Sequence, residues 1–160
     1  LQNEPIDLFI NNAGVIGDSA QHFKSVSLEP WLKVLKVNLI APLLITQSII
    51  KNIEKSSEKK IYILSSKVGS IEDNKSGGMY VYRSSKTALN QIVKSLSIDL
   101  KPLGISVISL HPGWVRTDMG GPNALISVEE SVNGMVGVIS NTNISNSGQF
   151  INYDGTELPW

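Results

Sequence analysis

A chain of 160 residues suffices for one domain, and its 41% apolar and 18% charged residues are typical of a globular protein rather than a disordered one. The formal net charge is +0 and no basic stripe runs along the sequence, so nucleic-acid binding is not expected. Cysteine is absent from the sequence, which excludes disulfides and thiolate metal sites within it.

Strand and helix signals alternate along the chain, and this alternation predicts βαβ units with a parallel sheet. The apolar run Ile6 to Ile10 predicts a first strand, which a turn from Asn11 to Gly14 follows. Ser27 then occupies a helix N-cap position, ahead of apolar residues that recur at helical spacing from Trp31 to Ile53. Pro42 lies inside this pattern and predicts a kink.

The remainder of the chain continues the alternation. In chain order, the sequence predicts a strand at Lys60 to Ser65, a loop at Lys67 to Met79, a long helix from about Tyr82 to Leu100, a strand at Ile105 to Leu110, a weaker helix at Val128 to Ile139 and a short strand at Gly148 to Tyr153. Three strand-end motifs therefore meet at one edge of the predicted sheet, where parallel α/β proteins bind ligands.

No targeting or membrane signal stands out. The stretch from Leu1 to Asp7 lacks the basic and apolar regions of a signal peptide. The most apolar stretch, Val34 to Ile53, is interrupted by polar residues and is not apolar enough to predict a membrane span. A cytoplasmic protein without a membrane span is the expectation.

Tyr82 and Lys86 stand four residues apart, on one face of the predicted long helix. A phenol titrates near about 10, and a neighbouring ammonium group lowers that pKa by favouring the phenolate. The pair therefore makes sense as an acid/base unit, although a Tyr-x-x-x-Lys pattern alone also fits an exposed pair on a helix surface.

The surroundings of this pair are more specific than the pair itself. Asn11 to Gly14 follows one strand, Ser65-Ser66 ends the next, and Pro112 to Asp118 follows the third. Over nearly its whole length the chain resembles the short-chain dehydrogenase/reductase family, in the branch that holds the C-factor protein and the sniffer-like carbonyl reductases. The resemblance rests on the segments SSKVGSIEDNKSGGMYVYRSSKTALN, HPGWVRTDMGGPNA and YDGTELPW.

The resemblance implies four catalytic residues. Tyr82 would be the general acid/base, and Lys86 would lower the pKa of its phenol and bond the nicotinamide ribose. Ser66 would hold and polarise the substrate carbonyl. Asn38 would bind the water that links Lys86 to solvent.

The resemblance also implies a cofactor, NADP(H) or NAD(H), and a small carbonyl or secondary-alcohol substrate, with no metal. Besides Tyr82 and Lys86, the cofactor-binding residues would be Asn12, Ala13 and Gly14 on the adenosine side and Pro112, Gly113, Val115 and Thr117 around the nicotinamide carboxamide.

Several of these residues have a structural alternative. Ser66 also fits a strand-end serine that bonds the backbone, and Asn38 fits a polar residue tolerated within a helix. His111 is expected to be structural, because no charged partner is obvious. Three tryptophans are expected to pack, with Trp114 also a candidate wall of the substrate pocket: Trp31, Trp114 and Trp160.

The predicted fold class is α/β, as the C-terminal part of a Rossmann-like doubly wound parallel sheet that lacks the N-terminal Gly-rich βαβ unit. Residues 1–160 would form one incomplete domain, because no G-x-G-x-x-G turn is present. The family's first strand, its Gly-rich turn and the residue that selects NAD or NADP are expected to precede Leu1. The first strand would then have a bare edge, so we expect either pairing with another copy or a piece of a longer gene product.

Two functions follow from these observations. The first is an NAD(P)-dependent, carbonyl reductase-like oxidoreductase that transfers hydride with Tyr82 as acid/base. The second is a C-factor-like, non-enzymatic protein of cell–cell signalling that retains the family fold. The resemblance also implies a homodimer that forms through the two long central helices.

Overall fold

The computed structural model describes residues 4–160, which fold around a sheet of four parallel strands. In spatial order the strands are β1 (Leu8–Asn11), β2 (Lys60–Leu64), β3 (Ser106–His111) and β4 (Phe150–Asn152). The predicted parallel α/β sheet is confirmed. Strand β1 starts two residues later than predicted, because the Ile6 amide donates to the Asn52 carbonyl oxygen at 3.1 Å instead of joining the sheet.

Four helices connect and cover the strands: α1 (Leu28–Leu35), α2 (Ala41–Glu54), α3 (Tyr80–Asp99) and α4 (Val128–Asn141). A π-helical turn, Lys36–Ile40, joins α1 to α2, so that residues 28–54 run as one helix. Short 3₁₀ turns lie at Lys67–Gly69, Lys101–Leu103 and Ile144–Asn146.

The π-helical turn lies where the sequence predicts a kink. Pro42 brings no amide hydrogen, and in a regular α-helix its ring would clash with the carbonyl of Asn38, four residues earlier. The chain adopts the wider turn directly ahead of Pro42. The irregularity therefore falls on Asn38, a predicted site residue.

Helices cover both faces of the sheet, as in a doubly wound fold. Neighbouring residues of β2 point to opposite faces. Ile61 and Ile63 pack in a core with residues of α2 and α3, such as Ile53 and Leu89. Tyr62 and Leu64 pack in a second core with α4. Both cores lie against the central strands and hold α3 and the strand ends in fixed relative positions.

Strand β1 forms one edge of the sheet and pairs only with β2 among residues 4–160. Its apolar side chains are partly open to solvent, with Leu8 39% and Ile10 42% exposed.

The helix over residues 28–54 is long and apolar enough to cross a membrane by length and composition. The core helices of globular proteins can share this length and composition. Here Ile53 lies in the core and Leu39 and Leu43 pack against it, while 22% of the most apolar window is buried. Length and composition therefore do not assign a membrane span to this helix.

Candidate active site

Three polar side chains mark the carboxyl ends of neighbouring strands. Asn11 ends β1, Ser65 follows β2 and His111 ends β3. Each carries a buried polar atom without a hydrogen-bond partner within residues 4–160: Asn11 Nδ2, Ser65 Oγ and His111 Nδ1. Buried polar groups without partners are costly and uncommon. Their position at the ligand-binding edge of a parallel sheet indicates a site for a polar ligand.

Tyr82 lies in the first turn of α3 and is 8% exposed. Its hydroxyl is hydrogen-bonded to the Ser66 side chain, which follows β2. Burial raises the pKa of Tyr82, and the Ser66 bond lowers it by a smaller amount. The sequence expectation of a phenol pKa lowered by Lys86 is therefore not met in the free protein, because the loss of hydration outweighs the other influences.

Lys86 lies one turn further along α3 and is 4% exposed. Its Nζ donates to the Leu64 carbonyl oxygen at 2.9 Å and lies 5.9 Å from the centroid of the Tyr82 ring. Burial lowers the pKa of Lys86 to about 8. The amine therefore exchanges its proton readily at mildly alkaline pH.

The loop after β1 approaches this amine. A Cβ atom added to Gly14 would lie 3.5 Å from Lys86 Nζ and 3.6 Å from Asn38 Oδ1. Asn12 and Ala13 are exposed and Gly14 is half-buried. Of the three predicted adenosine-side residues, two therefore face solvent and the third, Gly14, lies close to the Lys86 amine.

Asn38 is fully buried, and its side-chain amide is hydrogen-bonded to protein on both sides. Oδ1 accepts from the Val15 amide at 2.8 Å, and Nδ2 donates to the Val15 carbonyl at 2.8 Å and to Ser85 Oγ at 3.0 Å. Asn38 therefore fastens the loop after β1 to α3. The predicted role in holding a water stays a prediction.

Ser66 bonds the backbone, as in the structural alternative that the sequence left open, and its predicted role toward the substrate carbonyl stays a prediction. It begins the 3₁₀ turn Lys67–Gly69, and its Oγ accepts from the Val68 amide at 3.4 Å while the same side chain bonds Tyr82. Gly69 presses this turn against α3, since an added Cβ would lie 2.8 Å from the Cβ of Lys86. The serine-bearing turn and the lysine are thus packed in direct contact.

The predicted carboxamide-side residues follow β3. Gly113 has a φ of +85°, and a Cβ there would lie 2.4 Å from Ile126 Cδ1, so only glycine fits. The Pro112 carbonyl accepts from Ser131 Oγ at 2.5 Å, and Val115 forms a β-bridge with Ile126. The exposed Thr117 accepts from the Gly120 amide at 3.2 Å. This segment is held by α4 and by the residues leading into it.

His111 is half-buried, and burial lowers its pKa to about 4. Lys67 lowers the pKa further and Asp154 raises it. The histidine is therefore neutral near pH 7. Two charged residues influence it, whereas the sequence suggested no charged partner.

Two predicted packing residues differ in their surroundings. The Trp160 ring stacks on Phe150, with ring centroids 5.5 Å apart, and the Trp160 main-chain oxygen accepts from the Ile71 and Glu72 amides. Trp114 is half-exposed within the Pro112–Thr117 segment, and its indole donates to the Gly120 carbonyl at 2.8 Å. Trp114 is thus available as a pocket wall, while Trp160 packs.

Sequence reasoning missed Gln21, which is 6% exposed in the loop between β1 and α1. Its Oε1 accepts from the Tyr82 amide at 2.8 Å, and its Nε2 donates to the carbonyls of Ile16 and Asp18, both at 2.8 Å. A glutamine in an aperiodic loop carries no motif. Only the fold brings it to α3.

A parallel α/β sheet with a serine, a tyrosine and a lysine gathered at its carboxyl edge has the layout that the family resemblance implies for a nicotinamide-dependent oxidoreductase. The family model described as short chain dehydrogenase matches residues 2–125. The chain belongs to the short-chain dehydrogenase family. The predicted class, an NAD(P)-dependent oxidoreductase, and its cofactor are thereby confirmed at the level of the family.

Similar proteins agree with this assignment. The C-signal of Myxococcus xanthus is 41% identical over 156 residues, which cover 98% of this chain and 93% of that protein. Carbonyl reductase Sniffer of D. melanogaster matches with a TM-score of 0.95 at 37% identity, over 99% of this chain and 68% of that one. The NADPH-bound carbonyl reductase from chicken fatty liver matches with a TM-score of 0.92 at 36% identity, over 100% and 68%. The chain thus spans about two thirds of the two solved structures.

Proposed function

We propose that this protein reduces small carbonyl compounds, or oxidises the corresponding secondary alcohols, with Tyr82 as the general acid/base. One observation carries the proposal. The buried Tyr82 hydroxyl is bonded to Ser66, and the buried Lys86 amine lies on the same helix face, 5.9 Å from the phenol ring. This arrangement places a proton donor, a second hydroxyl and a titrating amine around one point.

The residues present fit a nicotinamide cofactor. Unpartnered polar atoms lie at the ends of three adjacent strands, and Gly14 leaves space beside the Lys86 amine. Asn12, Ala13 and Gly14 would hold the adenosine side, and Pro112, Gly113, Val115 and Thr117 would hold the carboxamide. Lys86 and Tyr82 would contact the ribose between them. The bound cofactor would supply or accept the hydride.

The remaining chemistry belongs to the chain's own groups. Ser66 donates a hydrogen bond to the substrate carbonyl oxygen and orients it toward Tyr82. Because burial raises the pKa of Tyr82, the phenol stays protonated near neutral pH and serves as the acid in carbonyl reduction. Delivery of its proton leaves a phenolate, which the neighbouring lysine stabilises when protonated.

Lys86 and a water bound by Asn38 would return a proton to Tyr82. With a pKa of about 8, Lys86 gains and loses a proton near physiological pH. Pro42 has no amide hydrogen to offer the Asn38 carbonyl oxygen, which suits that oxygen to binding a water beside the lysine. This path would carry a proton from solvent to the buried Tyr82 phenolate.

The carbonyl reductases among the similar structures support the reductive direction. Similarity to the C-signal is compatible with a signalling role and does not favour it over the enzymatic one. We further propose that residues 1–160 act as a single Rossmann-like unit, that the substrate is a small aldehyde, ketone or alcohol, and that the protein works in the cytoplasm.

A homodimer completes the proposal. Five large apolar side chains on the helix over residues 28–54 are exposed: Leu28, Leu32, Ile40, Leu44 and Ile45. A second copy packed along this helix would remove them from water, which favours association. Sedimentation would then show a dimer that Leu44→Asp dissociates. A wild-type monomer across the accessible concentration range would contradict the dimer.

The test of the reaction is oxidation of NADPH and NADH, followed by absorbance, with a panel of aldehydes and ketones. Tyr82→Phe is the matched control, because it removes one oxygen and keeps the ring. We expect turnover by the wild type and a loss of about 10²–10⁴-fold in the variant, with an unchanged circular dichroism spectrum. Equal rates in the two proteins, or no turnover of any carbonyl by the wild type, would contradict the proposal.

A further inference from the structure

Helix α3, which carries Tyr82, begins without a cap of its own. The residue before it, Met79, has a φ of +50°, a left-handed conformation that non-glycine residues rarely adopt, and makes no side-chain capping bond. The first amides of a helix have no partner within the helix and need one elsewhere. The start of α3 therefore depends on another part of the chain.

Gln21 supplies the missing partners. Its main-chain oxygen accepts from the Tyr80 amide at 3.1 Å, and its side-chain Oε1 accepts from the Tyr82 amide at 2.8 Å. The two residues of the second bond are 61 positions apart in sequence. Gln21 thus caps α3 as an N-cap residue does, although it lies in a different loop.

The other end of the Gln21 amide is also fixed. Nε2 donates to the carbonyls of Ile16 and Asp18, so both of its hydrogens are used and the group cannot flip without losing these bonds. The same loop is fastened one residue earlier, at Val15, by Asn38. Two buried amides therefore hold the loop after β1 against α3.

The carbonyl of Tyr82 belongs to the same network. It accepts from Ser85 Oγ at 2.7 Å, and Ser85 Oγ in turn accepts from Asn38 Nδ2 at 3.0 Å. Both main-chain polar groups of Tyr82 are therefore held by side chains. The bonds run from Gln21 through Tyr82 and Ser85 to Asn38.

We infer that Gln21 is a positioning residue for Tyr82, which sets the place of the phenol relative to Ser66 and Lys86. The inference rests on the proposed function, in which Tyr82 donates the proton. Misplacing a reacting group by about 1 Å costs about 10²-fold in rate. The Gln21 side chain makes one hydrogen bond to Tyr82, and none of its hydrogen bonds goes to Ser66 or Lys86.

Two substitutions separate the functions of the side chain. Gln21→Met keeps the length and removes every polar atom of the amide. Gln21→Glu keeps an acceptor for the Tyr82 amide, at a helix N-terminus that favours negative charge, and loses the two donors. We expect kcat for carbonyl reduction to fall about 10–10²-fold in Gln21→Met with little change in KM, and Gln21→Glu to recover part of it.

Asn143→Ala is the control, because Asn143 caps the 3₁₀ turn Ile144–Asn146 through its own Oδ1, which accepts from the Ser145 amide at 2.9 Å. It removes a capping bond from an element that carries none of the proposed catalytic or cofactor-binding residues. Its kcat should equal that of the wild type. A Gln21→Met enzyme with wild-type kcat, or an Asn143→Ala enzyme with the same loss, would overturn the inference.

A second measurement does not depend on turnover. Amide hydrogen exchange by NMR should show the Tyr82 amide exchanging about tenfold faster in Gln21→Met, as the loss of one buried bond implies, with Leu89 in the same helix unchanged. The pKa of Tyr82 should fall back toward its ordinary value as the phenol loses burial. If the wild type reduces no carbonyl, the proposed function fails and this exchange result still decides the role of Gln21. Unchanged Tyr82 exchange, or equal acceleration at Leu89, would overturn it.

Discussion

Helices α3 and α4 begin in opposite ways. Helix α4 is capped by the residue next to it, Ser127, and carries Glu129 and Glu130 in its first turn, where acidic residues stabilise a helix. Helix α3 starts at a left-handed Met79 and takes its cap from Gln21. The start of α4 is therefore encoded locally, whereas the start of α3 exists only in the assembled fold.

The same contrast extends along the two helices. The first two turns of α3 bury Tyr82, Ser85 and Lys86, three side chains with polar atoms. Helix α4 keeps Val128, Val132 and Val136 largely open to solvent. Buried polar groups are costly unless each is bonded. The buried polar side chains of α3 thus depend on distant partners for their hydrogen bonds, and the following predictions test that dependence.

The largest effect is expected from Lys86→Met, which should lower carbonyl reduction by at least about 10²-fold. It should also change how stability depends on pH. The pKa of Lys86 is about 8 in the folded state against 10.5 ordinarily, so between these values the unfolded state binds more protons and the free energy of unfolding rises with pH. Methionine has no such titration.

Urea unfolding at about pH 8 and about pH 10 measures this difference. The free energy of unfolding of the wild type relative to Lys86→Met should rise by about 2 kcal/mol over that interval. The buried tyrosines, whose pKa values are raised, lower the stability of both proteins as the pH approaches 10, and the comparison with Lys86→Met cancels this shared contribution. A relative stability that is flat with pH would contradict the desolvated state of Lys86.

Replacing the glycine that packs against α3 with alanine should destabilise the protein more than the same replacement within α4. Gly69→Ala would place a Cβ 2.8 Å from Lys86 Cβ and 2.9 Å from the Lys86 carbonyl carbon, which should cost about 1–3 kcal/mol of unfolding free energy. Gly137→Ala, inside α4, meets nothing within 4 Å and should gain up to about 1 kcal/mol. Urea unfolding measures the unfolding free energy of each variant. Equal effects of the two substitutions would contradict the tight packing at Gly69.

The smallest effect is expected from the local cap. Ser127→Ala should cost about 1 kcal/mol of unfolding free energy, because the Glu130 amide loses its acceptor. Thermal or urea unfolding measures this loss. A stability change shared by Ser127→Ala and Gln21→Met, with no difference in catalysis, would remove the contrast between the two helix starts.

Much of the fold could be predicted because its signals are local. The alternation of apolar runs with helical periodicity identifies all four strands and the helices between them, and Ser27 and Pro42 mark where regular structure begins or changes. The Tyr82–Lys86 pair depends only on helix periodicity. The family resemblance then directs attention to the strand ends, where the structure gathers the predicted polar residues.

The rest depends on contacts between distant residues. Gln21 reaches Tyr82 across 61 positions and Asn38 reaches Ser85 across 47, so no local pattern contains either bond. The direction of the Tyr82 pKa also escaped prediction, because it follows from burial in the folded protein rather than from the nearby lysine. The roles of Ser66, Asn38 and the cofactor-binding residues stay predictions that the variants above address.

Calorimetric titration of the purified 160-residue chain with NADPH and NADH is the most direct test of the central claim that these strand ends hold a nicotinamide cofactor. Saturable binding with a dissociation constant in the micromolar range is the predicted result. No detectable heat at millimolar cofactor, with the chain folded by circular dichroism, would contradict a dehydrogenase that works with these residues alone.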